Sequence, residues 1–595
     1  MDWTNQLADS LWWLLRTFVF SLAGFAAVTY LLGKHTRWGR QIWQLTWPYF
    51  SPRRSLGPLV MLAVIIFMAL FSVRMNVLFS YWYNGFYAAM QALDAKAFWF
   101  MLAVFCVLAT VHVVRSLLNF YVNQVLLVRW RIWLTDSLMR RWLDSRAYYR
   151  ADFVTHNVDN PDQRIQQDVD SFVTSTLSLL TGLLSSVVSL VEFTIILWGL
   201  SGALSLFGVE IPRGMIFVVY IYVLVATVFA VWVGHPLVRL NFLSERFNAT
   251  FRYVLIRVRE YGESIAFFRG EAVELQGFRS RFADVIRNTW DIIYRSLKFQ
   301  GLNLAVSQIA VVFPFLIQAP RLFTKQITLG DVMQTGQAFG QVQDALSFFR
   351  TSYDEFAGYR AVLDRLTGFV NAMDMAEALP MAEIRHSDAL SIEGLSVRTP
   401  ADQTLINGLT LQLVRGDALL IRGRSGMGKT TLLRAVAGLW PYVDGHVARP
   451  LDEALFLPQK PYLPLGTLRA ALSYPSPTPA TPEHAAEVLR QCQLGHLVKR
   501  LDDEADWGRV LSLGEQQRLA IGRALIARPL LVFLDEASSA MDEGLEHAMY
   551  TLLRQSLPDS IIVSVGHRST LHAFHTHELE LLGEGRWRSD ALIPA

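Results

Sequence analysis

Gly423, four further residues, and then Gly428, Lys429 and Thr430 follow an apolar run and precede a helix-forming one. A strand, a G-x-x-x-x-G-K-[ST] loop and a helix together make a phosphate cradle. Glycines let backbone N–H groups wrap an anion, and the helix N-terminus adds partial positive charge. The loop reads Gly423-Arg424-Ser425-Gly426-Met427-Gly428-Lys429-Thr430-Thr431. Lys429 is expected to reach the β- and γ-phosphates of ATP, and Thr430 to hold Mg²⁺. A chance glycine-rich turn would lack both the strand before and the helix after.

A second apolar run, Leu530–Leu534, ends in Asp535 and Glu536. An acid at a strand terminus beside a phosphate site suits Mg²⁺. The next acid is placed to orient and deprotonate a water. Alone, this ending would be weak evidence.

The stretch LSLGEQQRLAIGRAL resembles the signature of ATP-binding-cassette proteins, Leu511 through Gln516, with Leu513 where glycine is commoner. Gln459 in FLPQKPYLPLGTLR resembles the Q-loop, Ser539-Ala540-Met541-Asp542 the D-loop, and His567 the switch histidine. The resemblance covers about the last 200 residues in family order. It implies two cassettes packed head to tail around two ATP molecules, and so a dimer, most simply of identical chains. Ser512 and Gly514, with Glu515 in the same motif, would contact nucleotide held by Lys429 of the other copy. Glu536, His567 and Gln459 would form the catalytic group, and Thr430, Asp535 and Gln459 the Mg²⁺ group. The family's usual adenine-stacking aromatic is missing: LSVRTPADQTL has Thr399 near that place. Stacking on Arg398 and weak adenine binding both stay open.

These loops need a doubly packed α/β domain, yet the whole chain is more apolar than such a domain. Of 595 residues 52% are hydrophobic and 18% charged, against roughly 25% charged in soluble domains. Mean hydropathy is +0.29. A net charge of +3 gives no case for nucleic acid. Cys106 and Cys492, in different halves, offer no disulfide framework or cysteine-based zinc site.

Crossing a bilayer takes about 20 apolar residues per helix. Leu11–Leu32, Leu56–Phe79, Phe98–Asn119, Phe172–Leu200, Met215–Val233 and Leu302–Ile317 qualify. Thr328–Phe349, with Gln334, Gln337 and Gln341, is weaker and is included so that the basic loops and the C-terminal domain lie on one side. Arginine crowds Val128–Ser171 and Gly234–Gly301, which are therefore expected in the cytoplasm. The first ten residues hold Asp2 and Asp9 and no Lys or Arg, so they are expected outside, without the basic region of a signal peptide. Leu11–Leu32 has a second reading as an interfacial helix, given Arg16 and Trp3, Trp12 and Trp13.

The order of spans and long basic stretches resembles exporter-type transporters with one extra helix in front. DNPDQRIQQDV (Asp159–Val169), REYGESIAFFRGE (Arg259–Glu271) and DWGRVLSLGEQQR resemble the subfamily D transporters and their bacterial SbmA/BacA-like relatives. That resemblance implies cargo such as peptides, cobalamin or fatty acyl-CoA.

Polar residues recur within the apolar segments. His112, Arg115, Asn119 and Asn123 share a helical face, as do Gln334, Gln337 and Gln341, while Gly336 and Gly340 suit close helix packing. The preferred reading is a water-filled cavity on the dimer axis; the plainer one is interhelical hydrogen bonding. Glu192 reads either as a proton site or as a counter-ion for Arg74 or Arg115.

The expectation is a multi-domain chain, with an all-α transmembrane domain of exporter type plus an α/β P-loop nucleotide-binding domain. Residues 1–50 form an extra helix and elbow, 51–370 the transmembrane domain, 371–387 a linker and 388–595 the cassette. Its function would be ATP-driven movement of hydrophilic cargo, peptide or cobalamin-like, directed inward across a bacterial inner membrane. Expected partners are a second copy, membrane lipid and the cargo, with no nucleic acid. Basic Arg129–Arg150 would meet lipid headgroups. Alternatives are a fatty acyl-CoA transporter and an ATP-gated channel or regulatory ATPase.

Overall fold

The computed structural model describes residues 3–154, 160–201, 204–206, 209–211, 213–380 and 383–592. Asp2, Asp159 and, in the expected linker, Met381 and Ala382 lie outside the described residues. The chain divides into two units, residues 1–144 with 158–371, and residues 145–157 with 372–595.

The first unit begins with α1 (Trp3–His35), α2 (Arg37–Phe50), α3 (Gly57–Gln91) and α4 (Ala95–Leu143). After α5 (Ala147–Val154), part of the second unit, come α6 (Pro161–Gln163), a π-turn at Arg164–Asp168, and α7 (Val169–Leu200). A short antiparallel ribbon of β1 (Leu204–Leu206) and β2 (Val209–Ile211) departs from the all-helical expectation. Then follow α8 (Gly214–Glu260), α9 (Gly262–Phe268), α10 (Glu271–Phe323), α11 (Leu329–Thr351) and α12 (Tyr353–Glu377).

Among the described residues, six helical stretches are long and apolar enough to cross a membrane, and they cover the first six segments read from the sequence to within one residue at their starts. Helices α4, α8 and α10 have 49, 47 and 53 residues. At about 1.5 Å per residue they run roughly 70–80 Å, over twice the ~30 Å hydrocarbon core.

The seventh, α11, is polar because the unit surrounds much of it. Its Ala338, Phe339 and Val342 share one core with Val77 of α3, Phe193 and Leu197 of α7, Val219 and Val223 of α8 and Ala310 of α10. Gln334 is buried and accepts from Asn84 Nδ2 at 2.8 Å; Thr335 Oγ1 accepts from Gln318 Nε2 at 3.3 Å. Gln334 therefore ties helices together and does not line a cavity. Close backbone approach also falls elsewhere than expected. A Cβ on Gly330 would meet Asn84 O at 2.2 Å, whereas one on Gly340 would meet nothing within 4 Å.

Helix α1 tracks α3 in the opposite direction. Arg74 Nε donates to Ser10 Oγ at 2.8 Å, and further along Phe18 meets Phe67 edge-on at 5.8 Å. Trp13 and Leu14 pack with Ile66 and Leu70. Helix α1 is long and apolar enough to cross beside α3, as the spanning reading expects. Glu192 accepts from Trp13 Nε1 at 2.8 Å, and the Arg74 guanidinium lies 5.5 Å over the Trp13 ring. The indole thus bridges acid and base.

The α4 stripe also turns inward. Arg115 is buried and donates from Nη1 to Met68 O of α3 at 3.2 Å, while Asn123 donates to Asn119 O at 3.1 Å. Val113, Leu117, Phe120 and Tyr121 are exposed residues of that helix. The interhelical reading therefore holds for Arg115 through Met68, whereas the Asn123–Asn119 bond stays within α4, and His112 Nδ1 and Arg115 Nε are buried without a hydrogen-bond partner among the described residues. In the π-turn, buried Asp168 accepts from Arg164 at 2.5 Å and from Nε and Nη2 of Arg365 on α12 at 2.9 and 2.6 Å. Helix α12 runs past the expected boundary at 371, because Phe369, Val370, Met373 and Ala376 are buried at helical spacing.

The second unit holds a six-stranded sheet, a four-stranded sheet, a two-residue antiparallel pair of Gly466–Thr467 with Glu504–Ala505, and their helices. β3 (Ile384–His386), β4 (Leu390–Arg398), β5 (Thr404–Leu413) and β6 (Ala418–Gly423) precede α13 (Lys429–Val436). β7 (Val443–Arg449), β8 (Ala454–Leu457) and the two-residue β9 (Gly466–Thr467) follow, then α14 (Leu468–Ser473) and α15 (Pro482–Gln491). Next are β10 (Glu504–Ala505), α16 (Trp507–Val510), α17 (Leu513–Ala527), β11 (Leu531–Asp535) and α18 (Glu543–Ser556). β12 (Ile561–Val565), β13 (His577–Gly583) and β14 (Arg586–Ala591) complete it. The larger sheet has the order β14-β13-β6-β12-β11-β8, parallel except for the antiparallel edge strand β14. The smaller has the order β3-β7-β4-β5. Strands β11 and β12 are buried apolar runs, as a sheet covered on both faces requires.

Candidate functional site

The parallel order brings the C-terminal ends of β6, β11 and β12 together, where ligands bind in open α/β sheets. From β6 the chain turns through Gly423, Gly426 and Gly428, all at positive φ. Gly428 has φ 93°, and a Cβ there would press on Leu405 at 3.2 Å, so glycine is required on both counts. Helix α13 starts at the next residue. Lys429 is buried and donates from Nζ to the carbonyls of Gly423 at 2.9 Å and Arg424 at 3.2 Å. Burial pulls its pKa down, against the raising influence of Glu536 and Asp535.

Thr430 Oγ1 donates to Asp535 Oδ1 at 3.2 Å. Burial raises the Asp535 carboxyl above the ordinary range; Thr430 opposes the shift and nearby Glu536 adds to it. A carboxylate short of solvation beside a hydroxyl is a hard-oxygen pair suited to Mg²⁺.

Glu536 has φ 52°, a strained left-handed conformation for this residue. Its carboxylate has a neighbour at each oxygen. Gln459 Nε2 donates to Oε2 at 3.0 Å, and His567 Nε2 lies 3.3 Å from Oε1. Gly423–Thr431, Gln459, Asp535, Glu536 and His567 thus form one cluster drawn from four separate stretches of chain.

Ser512, Gly514 and Glu515 start α17 elsewhere. Among the described residues, no hydrogen bond or ion pair joins them to the phosphate loop. Ser512 and Glu515 form a capping box: Glu515 Oε2 accepts from Ser512 N at 3.0 Å and Oγ at 2.8 Å. His496 Nε2 lies 3.0 Å from Glu515 Oε1. Although burial opposes it, these hydrogen bonds and His496 hold the Glu515 carboxyl below its ordinary range. Its visible work is to cap the helix, a role that the motif alone does not separate from nucleotide contact. Near the base position, Arg398 pairs with Asp402 and Asp444.

Two features escape a reading of the sequence. Phe153 of α5 meets the Trp440 ring edge-on at 5.3 Å and Tyr442 at 6.3 Å. This segment, next to the stretch expected at lipid headgroups, packs instead on the nucleotide-binding fold; Tyr149 and Phe153 at i, i+4 are the available signal. The other is Gln517, fully buried within α17.

Residues 45–323 match the family described as ABC transporter transmembrane region 2, and residues 406–539 that described as ABC transporter. An uncharacterized ABC transporter ATP-binding protein of Haemophilus influenzae is 48% identical over 99% of this chain and 100% of its own. The lysosomal cobalamin transporter ABCD4 of Homo sapiens is 30% identical over 92% of this chain and 95% of its own. A bacterial Atm1-family ABC exporter solved with ATP bound has the same fold, with a TM-score of 0.68 at 18% identity over 90% of this chain and 96% of its own. The chain is a multi-pass membrane protein of the ATP-binding-cassette transporter family, a fused transmembrane and cassette half-transporter with an ATPase domain, homologous to subfamily D.

Proposed function

We propose that this chain works as a homodimer that hydrolyses ATP to move hydrophilic cargo inward across a bacterial inner membrane. Cobalamin-like compounds are the first candidate class and peptides the second. The observation that carries the turnover reading is Glu536, held between Gln459 and His567. A carboxylate hydrogen-bonded by Gln459 at one oxygen, with a histidine beside the other, is positioned to act as a general base. Lys429, released from its own loop carbonyls, neutralises phosphate charge, and the loop N–H groups from Arg424 to Thr431 wrap it. Thr430, Asp535 and Gln459 supply oxygen ligands for Mg²⁺, which when bound polarises the transferring phosphoryl group. An intact acid and histidine favour hydrolytic turnover over an ATP-gated channel or a purely regulatory ATPase.

A second copy completes the site, with Ser512 and Gly514 of one chain facing the phosphates held by the other. The exposed Phe267 and Phe268 of α9 support such an assembly, since two neighbouring phenylalanines in water suggest a protein partner. SbmA/BacA-like kinship and import fit the similarity to a cobalamin transporter.

Hydrophilic cargo rests on one face of α11. Gln337, Gly340, Gln341 and Asp344 follow i, i+3, i+4, i+7 spacing, Asp344 is exposed, and Gly340 has open space before it. An acyl chain would call for an apolar face, which keeps the fatty acyl-CoA alternative second. The test is uptake by proteoliposomes supplied with ATP on the cassette side, comparing cobalamin, a basic peptide and an acyl-CoA. ATP-dependent movement of cobalamin or peptide is expected. Stimulation by acyl-CoA alone would reverse the cargo class, and movement in the other sense would reverse the direction.

A further inference from the structure

Gln517 lies on α17, five residues after Ser512, with its side chain fully buried. Its Nε2 donates to the backbone carbonyl of Gln459 at 2.8 Å and to Ser539 Oγ at 3.1 Å, with the carbonyl of Glu536 at 3.5 Å. Its Oε1 accepts from Ala540 N at 3.0 Å. The partners fix the amide orientation. Reversed, the oxygen would face the Gln459 carbonyl and the NH₂ group would face the Ala540 N–H. Both hydrogens and the acceptor of this amide are in use.

The partners come from the segments that build the hydrolytic cluster. Gln459 and Glu536 are also joined through their side chains at 3.0 Å. Ser539 and Ala540 follow β11, and Ser539 N donates to Glu536 O at 3.0 Å. At the start of α17, a Cβ on Gly514 would come within 3.1 Å of Ala540 O, so helix and loop are closely packed there as well. One helix therefore carries Ser512 and Gly514 at its tip and, less than two turns later, an amide joined to the loops behind Glu536.

We propose that Gln517 is a positioning residue that couples the two ATP sites of the dimer, linking the Gln459–Glu536 arrangement in one site to the Ser512–Gly514 tip that serves the other. The inference rests on the two-chain sandwich proposed above. When Gln459 and Glu536 adjust around a phosphate, the backbone behind them shifts. A buried amide with no water to replace a lost partner shifts with it. The helix tip follows, because α17 moves as a rigid element. A residue that only filled space would be replaceable by methionine, which is similar in length and volume but cannot donate these hydrogen bonds.

The experiment uses the full-length protein in nanodiscs. It measures kcat, KM and the Hill coefficient for ATP, the melting temperature, and ATP retained per dimer in an E536Q background. For Q517M, kcat is expected to fall about tenfold or more and a Hill coefficient above 1 to drop toward 1, with KM and melting temperature little changed. S539A, which deletes one partner from the loop side, is expected to shift both parameters the same way by less, and it carries the test if Q517M fails to fold. A wild-type Hill coefficient of 1, unchanged kinetics in the folded variants, or a kcat loss that only tracks a falling melting temperature would overturn the coupling. Two ATP retained per E536Q dimer is expected; fewer than two would overturn the sandwich itself, independently of any result at position 517.

Discussion

His567 Nε2 stands 3.3 Å from Glu536 Oε1, so the histidine and the proposed base pair directly. Removing the negative charge while keeping the shape isolates the base. Glu536→Gln is expected to lower ATP hydrolysis at least ~100-fold, consistent with loss of a general base, while ATP stays bound. Phosphate release and retained labelled ATP are the two measurements, and unchanged hydrolysis would remove Glu536 from this role.

Asp535 makes a different prediction, about stability. Its folded-state pKa is raised, chiefly by burial. A carboxyl with a raised pKa contributes stability that is fully present below its unfolded value and is lost as pH rises through the folded value. Asp535→Asn removes the ionisation, so the nucleotide-free variant is expected to melt higher than wild type, with a gap that opens as pH rises above the ordinary carboxylate pKa of about 4 and levels off above the raised folded value. The rise should be about 1–3 °C in a chain this large. A gap that is flat with pH would show that another group sets the effect.

His575 titrates in the opposite sense. It is buried, with Nδ1 2.7 Å from Leu571 O and Nε2 2.9 Å from Ser564 Oγ, and burial lowers its pKa to about 4. A depressed histidine favours the folded state above its unfolded value near 6.5, and that contribution is lost as pH falls toward 4. Acid lability across this window should be reduced in His575→Gln, at some cost in stability at pH 7. Chemical denaturation at pH 7, 6 and 5 checks it; parallel losses in the two proteins would exclude His575.

In the membrane half, Trp12 and Trp13 are adjacent but unequal. Trp12 is 67% exposed, whereas Trp13 is 9% exposed and donates to Glu192. Trp13→Phe leaves a carboxylate without its donor, at a cost of about 1–3 kcal/mol, while Trp12→Phe should be nearly neutral. Thermal unfolding in one detergent compares them, and equal effects would show that the indole–carboxylate bond contributes nothing.

Phe153 links α5 to the nucleotide-binding fold through Trp440 and Tyr442. Phe153→Ala is expected to keep basal ATP hydrolysis within about threefold while cutting ATP-dependent transport at least ~10-fold, because the cassette retains its own cluster and loses a mechanical contact. Hydrolysis and transport falling together would assign Phe153 to folding of the cassette.

The phosphate loop is legible in the chain's own residues because glycine spacing, a preceding strand and a following helix all constrain the same few positions. Membrane helices are legible because length and apolarity decide them. Side-chain direction is not. His112, Arg115, Asn119 and Asn123 share a face in any helix, but whether it meets water or a neighbour depends on α3, which is distant in sequence. Thr328–Phe349 is a weak span by hydropathy because two of its polar residues are paired with neighbours: Gln334 with Asn84, Thr335 with Gln318. The reach of α12 past 371 is hidden because Asn371, Asp374 and Glu377 interrupt the apolar residues that pack. Gln517 gives no signal of its own, since a glutamine inside a known motif offers no sign of what its amide will find.

The bond between Trp13 and Glu192 also orders the protein's biosynthesis. The two residues are 179 positions apart, so α1 leaves the ribosome long before the acid it will hold exists. Helix α3, with Arg74, emerges between them and can settle against Ser10 and the Trp13 ring first. Only when α7 inserts does the carboxylate reach the indole, so closure of this corner of the bundle waits for α7. Nascent chains halted before residue 192 should therefore hold α1 less firmly than chains that have passed it.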